Sequence, residues 1–148
     1  MPRKVARARQ AKQLAVTTQA DAAEAARPIS PRPADSARTF AIDSARLFVD
    51  DRCEDILVLD LRGISPICDY FVIATCTSDR QMRAIADHVE EMAKARKEKP
   101  YGVAGYEDGR WIVLDYIDVV MHLFDAEFRA YYNLETLWGD SPRVTWER

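Results

Sequence analysis

Glycine is scarce in this chain: 148 residues hold five, at positions 63, 102, 105, 109 and 139. None falls within G-x-G-x-x-G or G-x-x-x-x-G-K-[ST], so neither common backbone cradle for phosphate is present. Long hydrophobic runs are missing too. The longest are broken by Asp within about seven residues, far short of the roughly 20 that cross a bilayer, so the chain reads as soluble with no membrane partner. Cysteine stops at three, Cys53, Cys68 and Cys76, without C-x-x-C and without paired histidine spacing. Reduced thiols in a reducing compartment, and no metal site, are the expectation. The two histidines, His88 and His122, form no Asp-His-Ser or Cys-His grouping along the chain, so nothing in the sequence argues for nucleophilic catalysis.

The net charge of −3 hides an asymmetry. Residues 1–40 carry eight Lys/Arg against three acids, a net of +5, which leaves −8 for residues 41–148. Residues 1–37 are rich in Ala and Arg, carry Pro28, Pro31 and Pro33, and have few large apolar side chains. Such a segment buries too little to offset the entropy of ordering it and reads as a disordered basic extension, fit for weak contact with RNA. Its first 20 residues hold no acid, which also fits an organellar transit peptide. The acidic remainder is a poor generic polyphosphate binder and suits a basic protein surface.

Order is expected from about Thr39. Phe40, Ser44, Leu47 and Phe48 share a helical stripe, Ser36 or Thr39 is placed to cap it, and Arg52 is its expected end. Ile56–Leu61 and Tyr70–Thr75 have the length and β-branched or aromatic content of strands. Ser78 with Gln81 forms a capping-box pattern, opening a helix whose apolar face is Met82, Ile85, Ala86, Val89, Met92 and Ala93 and which Pro100 stops. Val103–Tyr106, Trp111–Leu114 and Val119–Phe124 read as strands, the first two joined at Glu107-Asp108-Gly109. Asp125 is the N-cap of a helix over 126–132, followed by a last apolar turn at Leu134, Leu137 and Trp138. This order predicts an α/β fold, a mixed sheet flanked by helices.

Asp115 and Asp118, three apart between two strands, are too poorly spaced in extended chain for a two-carboxylate metal site, and read as turn-capping acids beside a recognition edge. His122 alternates with its neighbours onto the face of Val120 and Phe124, as a satisfied structural histidine does. Cys76 precedes a helix N-terminus, but no base or resolving thiol is evident from the sequence, and it reads as inert. Aromatic residues gather in the last third of the chain beside acids. Trp111, opening a strand next to a tight turn, is the aromatic expected to be partly exposed.

These motifs, taken together, resemble a known family. D-I-L-V-L-D-L at 55–61, C-D-Y-F-V-I-A-T at 68–75, W-I-V-L-D-Y at 111–116, D-V-V-M-H-L-F at 118–124 and Y-Y-N-L-E-T-L-W-G-D at 131–140 look like the Iojap-like ribosomal silencing factors. The resemblance covers roughly residues 38–141, leaving 142–148 as a short tail. It implies a non-enzymatic translation repressor with no cofactor and a fold similar to nucleotidyltransferases without their active site. It also implies binding to a basic protein, number fourteen, of the large ribosomal subunit, so that the small subunit is sterically kept from joining. Assembly of the large subunit and retained nucleotide binding are the alternative roles. The expected setting is the cytoplasm, or an organellar matrix if residues 1–37 are a transit peptide, with a homodimer when free. The expected docking face is Asp69, Tyr70, Trp111, Asp115, Tyr116, Asp118 and His122. Two departures stand out: the family commonly has Gly at the positions of Cys76 and Ile117. A β-branched residue rarely accepts a positive φ, so the turn at Ile117 is expected to use ordinary backbone or to lie in a strand.

Overall fold

The structure, a computed structural model, describes residues 33–148; the readings of a disordered extension, a transit peptide and an RNA contact fall mainly on residues outside that range. The elements in order are α1 (Ala34–Asp50), β1 (Glu54–Asp60), β2 (Tyr70–Cys76), α2 (Asp79–Ala95), β3 (Gly102–Ala104), β4 (Trp111–Asp115), β5 (Val119–Asp125), α3 (Ala126–Tyr132) and α4 (Leu134–Leu137). They form the α/β fold with a mixed sheet that the sequence predicts. The two most apolar runs become its central strands. β2 and β5 pair in parallel, with Tyr70 against Val119 and Thr75 against Phe124. A parallel pair needs a long crossover, and α2 with the β3–β4 hairpin supplies it. The other neighbours are antiparallel, giving the strand order β1-β2-β5-β4-β3.

Because side chains alternate across a strand, the sheet splits the core in two. Val58, Val72, Ala74, Ile112, Leu114, Met121 and Leu123 face α1 and α2. Leu59, Phe71, Ile73, Trp111, Val120 and Phe124 face the side closed by Tyr132 and Leu134 of α3 and α4.

Helix α1 starts five residues before the expected Thr39. Pro33 is its N-cap, with φ −60° and ψ 151° and no side-chain cap; its fixed φ suits a helix entry. Thr39 instead bonds back to the carbonyl of Asp35 at 2.9 Å from within the helix. The buried stripe begins at Ala37 and includes Phe40, Ala41, Ala45 and Phe48. Both long helices end in a Schellman motif whose left-handed residue is not glycine. After α1, Arg52 (φ 68°) is left-handed, with Cys53 N–H bonded to Phe48 O and Arg52 N–H to Val49 O. After α2, Lys97 (φ 58°) takes that place, with Glu98 N–H bonded to Ala93 O and Lys97 N–H to Lys94 O. This 6→1 and 5→2 pattern satisfies terminal carbonyls and costs a non-glycine residue about 1 kcal/mol of strain. At the start of α2 the Ser78 hydroxyl accepts from Gln81 N–H at 3.0 Å as expected, and the Gln81 amide oxygen accepts from Thr77 N–H. Gly105 (φ 79°) is sterically required, because a Cβ there would fall 1.9 Å from the carbonyl oxygen of Trp111.

Residues 142–148 lie against β1. Asp60 N–H donates to Pro142 O and Val144 N–H to Val58 O, both at 2.8 Å, so the segment covers an edge that would otherwise stand open. Val144 is buried in the core under α1, and Arg46 Nε donates to Trp146 O at 2.9 Å. Truncation after Ser141 is expected to lower unfolding free energy by about 2 kcal/mol, the worth of one buried valine, as a reduced urea midpoint at unchanged fold. An unchanged midpoint would show that the segment is a dispensable tail.

Candidate functional site

The seven residues expected on a docking face divide into two groups. Asp69, Tyr70, Asp115, Tyr116 and Asp118 meet at one end of the sheet, where β2 and β5 begin and β4 ends. Trp111 and His122 lie farther along, on the face under α3 and α4.

The corner is built on a turn. Asp115 Oδ1 accepts from Ile117 N–H at 2.9 Å, Asp118 N–H donates to Tyr116 O at 2.9 Å, and Tyr116 N–H donates to Val119 O at 2.9 Å. Ile117 therefore occupies the centre of a γ-turn with φ 73°, the rare positive-φ form. This overturns the expectation of ordinary backbone there. A buried carboxylate cap and two turn hydrogen bonds outweigh the strain of a β-branched residue in the left-handed region, which costs about 1–3 kcal/mol. Asp115 takes the turn-capping role.

The Asp118 carbonyl accepts from both Asp69 N–H (2.8 Å) and Tyr70 N–H (3.0 Å), tying this turn to the start of β2. The Asp69 carboxyl is raised above the usual carboxylate range, first by burial, then by the negative charge of Asp118, with Arg62 opposing. Arg62 is engaged with Asp60 through two bonds of 2.9 and 2.7 Å. Its guanidinium also lies over the Tyr70 ring, 5.5 Å from the centroid. Asp60 thus holds Arg62 directly, with Arg38 adding to its field, while Asp69 feels both Arg62 and the like charge of Asp118. Both tyrosines of the corner point inward. Tyr116 packs edge-on to Phe40 at 5.2 Å, and burial pushes its phenol up to about 12. Tyr70 is fully buried and its hydroxyl finds no hydrogen-bond partner among the described residues.

Trp111 departs from expectation. Only 4 % exposed, it stacks on Phe124 at 4.8 Å and meets Tyr132 at 4.9 Å, because α3 and α4 cover the strand that it opens. Its indole N–H donates to His122 Nδ1 at 3.2 Å. An indole is only a donor, so Nδ1 must be the acceptor and neutral His122 carries its proton on Nε2. Nε2 has no hydrogen-bond partner among the described residues, so there this histidine is half satisfied rather than fully so. Burial alone pushes it down to about 3. Among the described residues no group of three or more His, Cys, Asp or Glu side chains is placed to hold a metal ion, and no helix is long and apolar enough to cross a membrane.

Three features escaped sequence reasoning. The exposed aromatic residues are Tyr101, Tyr106 and Tyr131, rather than the tryptophan. Arg129 is buried, donating from Nη1 to Thr75 Oγ1 at 3.0 Å and lying 3.4 Å from Glu135, at a groove of 760 Å³ shared with Glu54, Asp55 and Arg143. The third is the meeting of Cys53 and Cys76. No residue pattern signals any of these; each depends on how distant segments pack. Asp87 accepts from the Tyr106 hydroxyl at 3.0 Å.

With this geometry in hand the chain can be set beside known proteins. The family model described as ribosomal silencing factor during starvation matches residues 34–148, and the chain belongs to that family. It is 45 % identical over 93 residues to the ribosomal silencing factor RsfS of Bacillus subtilis, covering 63 % of this chain and 79 % of that protein. It is 34 % identical over 108 residues to the chloroplastic protein Iojap of Arabidopsis thaliana, covering 71 % of this chain and 44 % of that one. A crystal structure of a Chromobacterium violaceum protein superposes with a TM-score of 0.65 at 30 % identity, covering 73 % of this chain and 88 % of that one.

Two outcomes follow from the site. Since His122 is depressed in the folded state and ordinary when unfolded, only the unfolded chain gains a proton as pH falls below about 6.5. Its contribution to stability is therefore present at neutral pH and lost towards about 3. Between pH 7 and 5.5 this amounts to roughly 1 kcal/mol, and urea titrations of His122→Leu should lack that loss. Equal pH dependence in the two proteins would exclude it. Ile117→Gly, which relieves the left-handed strain, is expected to raise stability by about 1 kcal/mol after the greater freedom of unfolded glycine is subtracted; a lower melting temperature would contradict the strain argument.

Proposed function

We propose that this protein silences ribosomes by binding a basic protein, number fourteen, on the large subunit and sterically blocking the small subunit from joining. The observation that carries the reading is the match to the silencing-factor family over every described residue from Ala34 onward. The corner supports it. Asp60, Asp69 and Asp118 outnumber Arg62 and Arg38, the cations that act on them, and a surplus of half-buried like charge is relieved when cations from a partner dock. In this reading Asp69 and Asp118 touch the partner, while Tyr70, Asp115 and Tyr116 hold the turn that presents them. Trp111 and His122 set the sheet face behind it. The repression is steric, so the chain needs no cofactor and turns over no substrate, and it acts in the cytoplasm, as bacterial relatives fit. The basic residues before Ala34 add a weak contact to ribosomal RNA, and free protein pairs with itself.

The test is subunit joining in vitro. Purified large subunits are mixed with the protein, small subunits are added, and joined particles are followed by sedimentation at several salt concentrations. Stoichiometric inhibition is expected, weakened about tenfold by Asp118→Lys, the effect of reversing one interfacial charge. Glu91→Lys, on the exposed face of α2, should inhibit like the unaltered protein. Unimpeded joining at saturating protein would overturn the proposal.

A further inference from the structure

The turn between α1 and β1 and the end of β2 bring two thiols together. Glu54 pairs with Thr75 in the antiparallel register, so one step outward Cys53 stands opposite Cys76. Both lie against the same core, the one under α1 and α2. Cys53 N–H donates to Phe48 O at 2.8 Å instead of across the ladder. That is the arrangement of a non-hydrogen-bonded pair, whose Cα atoms approach to about 4.5 Å. A disulfide spans Cα separations of roughly 4.4–6.8 Å, so the pair can close without moving the backbone. The two thiols interact: hydrogen bonding with Cys76, then burial, then the charges of Cys76 and Asp51 raise the Cys53 thiol above the usual range. Cys68 lies on the opposite face of the sheet, its sulfur 3.8 Å from the carbonyl oxygen of Tyr70. All three cysteines are free thiols.

We propose that Cys53 and Cys76 form a reversible disulfide, which makes this end of the sheet a redox-modifiable site that exchanges with small-molecule disulfides. Cys53 is partly exposed and Cys76 is buried, which assigns the order of events. The Cys53 thiol loses its proton, and the thiolate attacks one sulfur of oxidised glutathione, breaking that S–S bond and releasing one glutathione thiolate. Cys76, deprotonated in turn, attacks the Cys53 sulfur of the mixed disulfide and releases the second. The two protons pass to the released thiolates. Two protein thiols are oxidised, and one glutathione disulfide is reduced to two thiols. The raised Cys53 thiol makes the first attack slow, since the thiolate is the nucleophile. Once closed, the bond staples this strained connection, with Arg52 (φ 68°) in the turn and Asp55 (φ 50°) in the first residues of β1 both left-handed, to the segment that leads into α2. It also fixes Glu54 and Thr75 at the mouth of the Arg129 groove.

The full chain is incubated with oxidised glutathione, quenched in acid, unfolded, alkylated and weighed intact. Chymotrypsin then cuts at Tyr70 and Phe71 and separates Cys68 from Cys76. A monomeric product lighter by two hydrogens is expected, with Cys53 linked to Cys76 and Cys68 alkylated, reverting with dithiothreitol and showing a higher urea midpoint than the reduced form. Cys76→Ser should accumulate a glutathione adduct on Cys53, and Cys68→Ser should keep the link. Three alkylatable thiols after oxidation of the unaltered chain, a link through Cys68, or cross-linked dimers would each overturn the proposal, whether or not the variants fold.

Discussion

The pairing of β2 with β5 is the constraint on which everything else depends. Every residue of β2 and nearly all of β5 is buried, so the two strands need cover on both faces, and each further element answers one part of that need. α1 and α2 close one face, α3 and α4 the other, and β1 and β4 protect the edges. A parallel pair also puts the starts of both strands at one end of the sheet. Asp69 precedes β2 and Asp118 precedes β5, so the same pairing that organises the core brings these two carboxylates together. The acidic corner is a consequence of topology: neither aspartate is near the other in sequence.

Glycine scarcity, which in the sequence excludes phosphate cradles, has a second effect in the fold. Left-handed positions still arise wherever helices and strands end, and among the described residues Arg52, Asp55, Lys97, Ile117 and Asn133 fill them. Each carries strain that glycine would not. Arg52 and Lys97 sit in hydrogen-bonded helix ends that hold them there. Ile117 sits at the corner, where the Asp115 carboxylate and the bonds of Tyr116 and Asp118 over-determine the turn. That rigidity is useful to a docking surface, because a side chain already held in place loses less freedom on binding.

Much of this was legible in the sequence because it is local. The strands announce themselves by β-branched and aromatic runs, α2 by its stripe and by Ser78, and α3 by Asp125, whose carboxylate caps Phe128 N–H at 2.7 Å. What was not legible depends on burial decided elsewhere. The neighbourhood of Trp111 looks like an exposed hairpin flank until α3 and α4, more than a dozen residues later, fold over it. The start of α1 is hidden in the sequence because Pro33 gives no side-chain signal, and Thr39 resembles a cap while serving as an interior residue. Ile117 was misjudged because propensity weighs one residue, whereas the turn is fixed by its neighbours. Cys53 and Cys76 are read singly from the sequence and become a pair only through the β1–β2 register.

The division of the expected docking face also changes what kind of interface the corner is. An aromatic anchor reaching a partner from Trp111, Tyr70 or Tyr116 would have to be pulled out of the core, where each makes ring contacts or fills buried space. What remains accessible there is charge, with the apolar body packed behind it. Charge at an interface acts mainly on the encounter rate and on the choice of partner, and it is screened over about 8–10 Å at ordinary ionic strength. Selectivity for a basic surface would then come from the surplus of Asp60, Asp69 and Asp118 over Arg62 and Arg38. Tight holding would come from the shape of the turn that Ile117 and Asp115 fix. The buried tyrosines and tryptophan serve binding indirectly, by keeping that shape the same before and after docking.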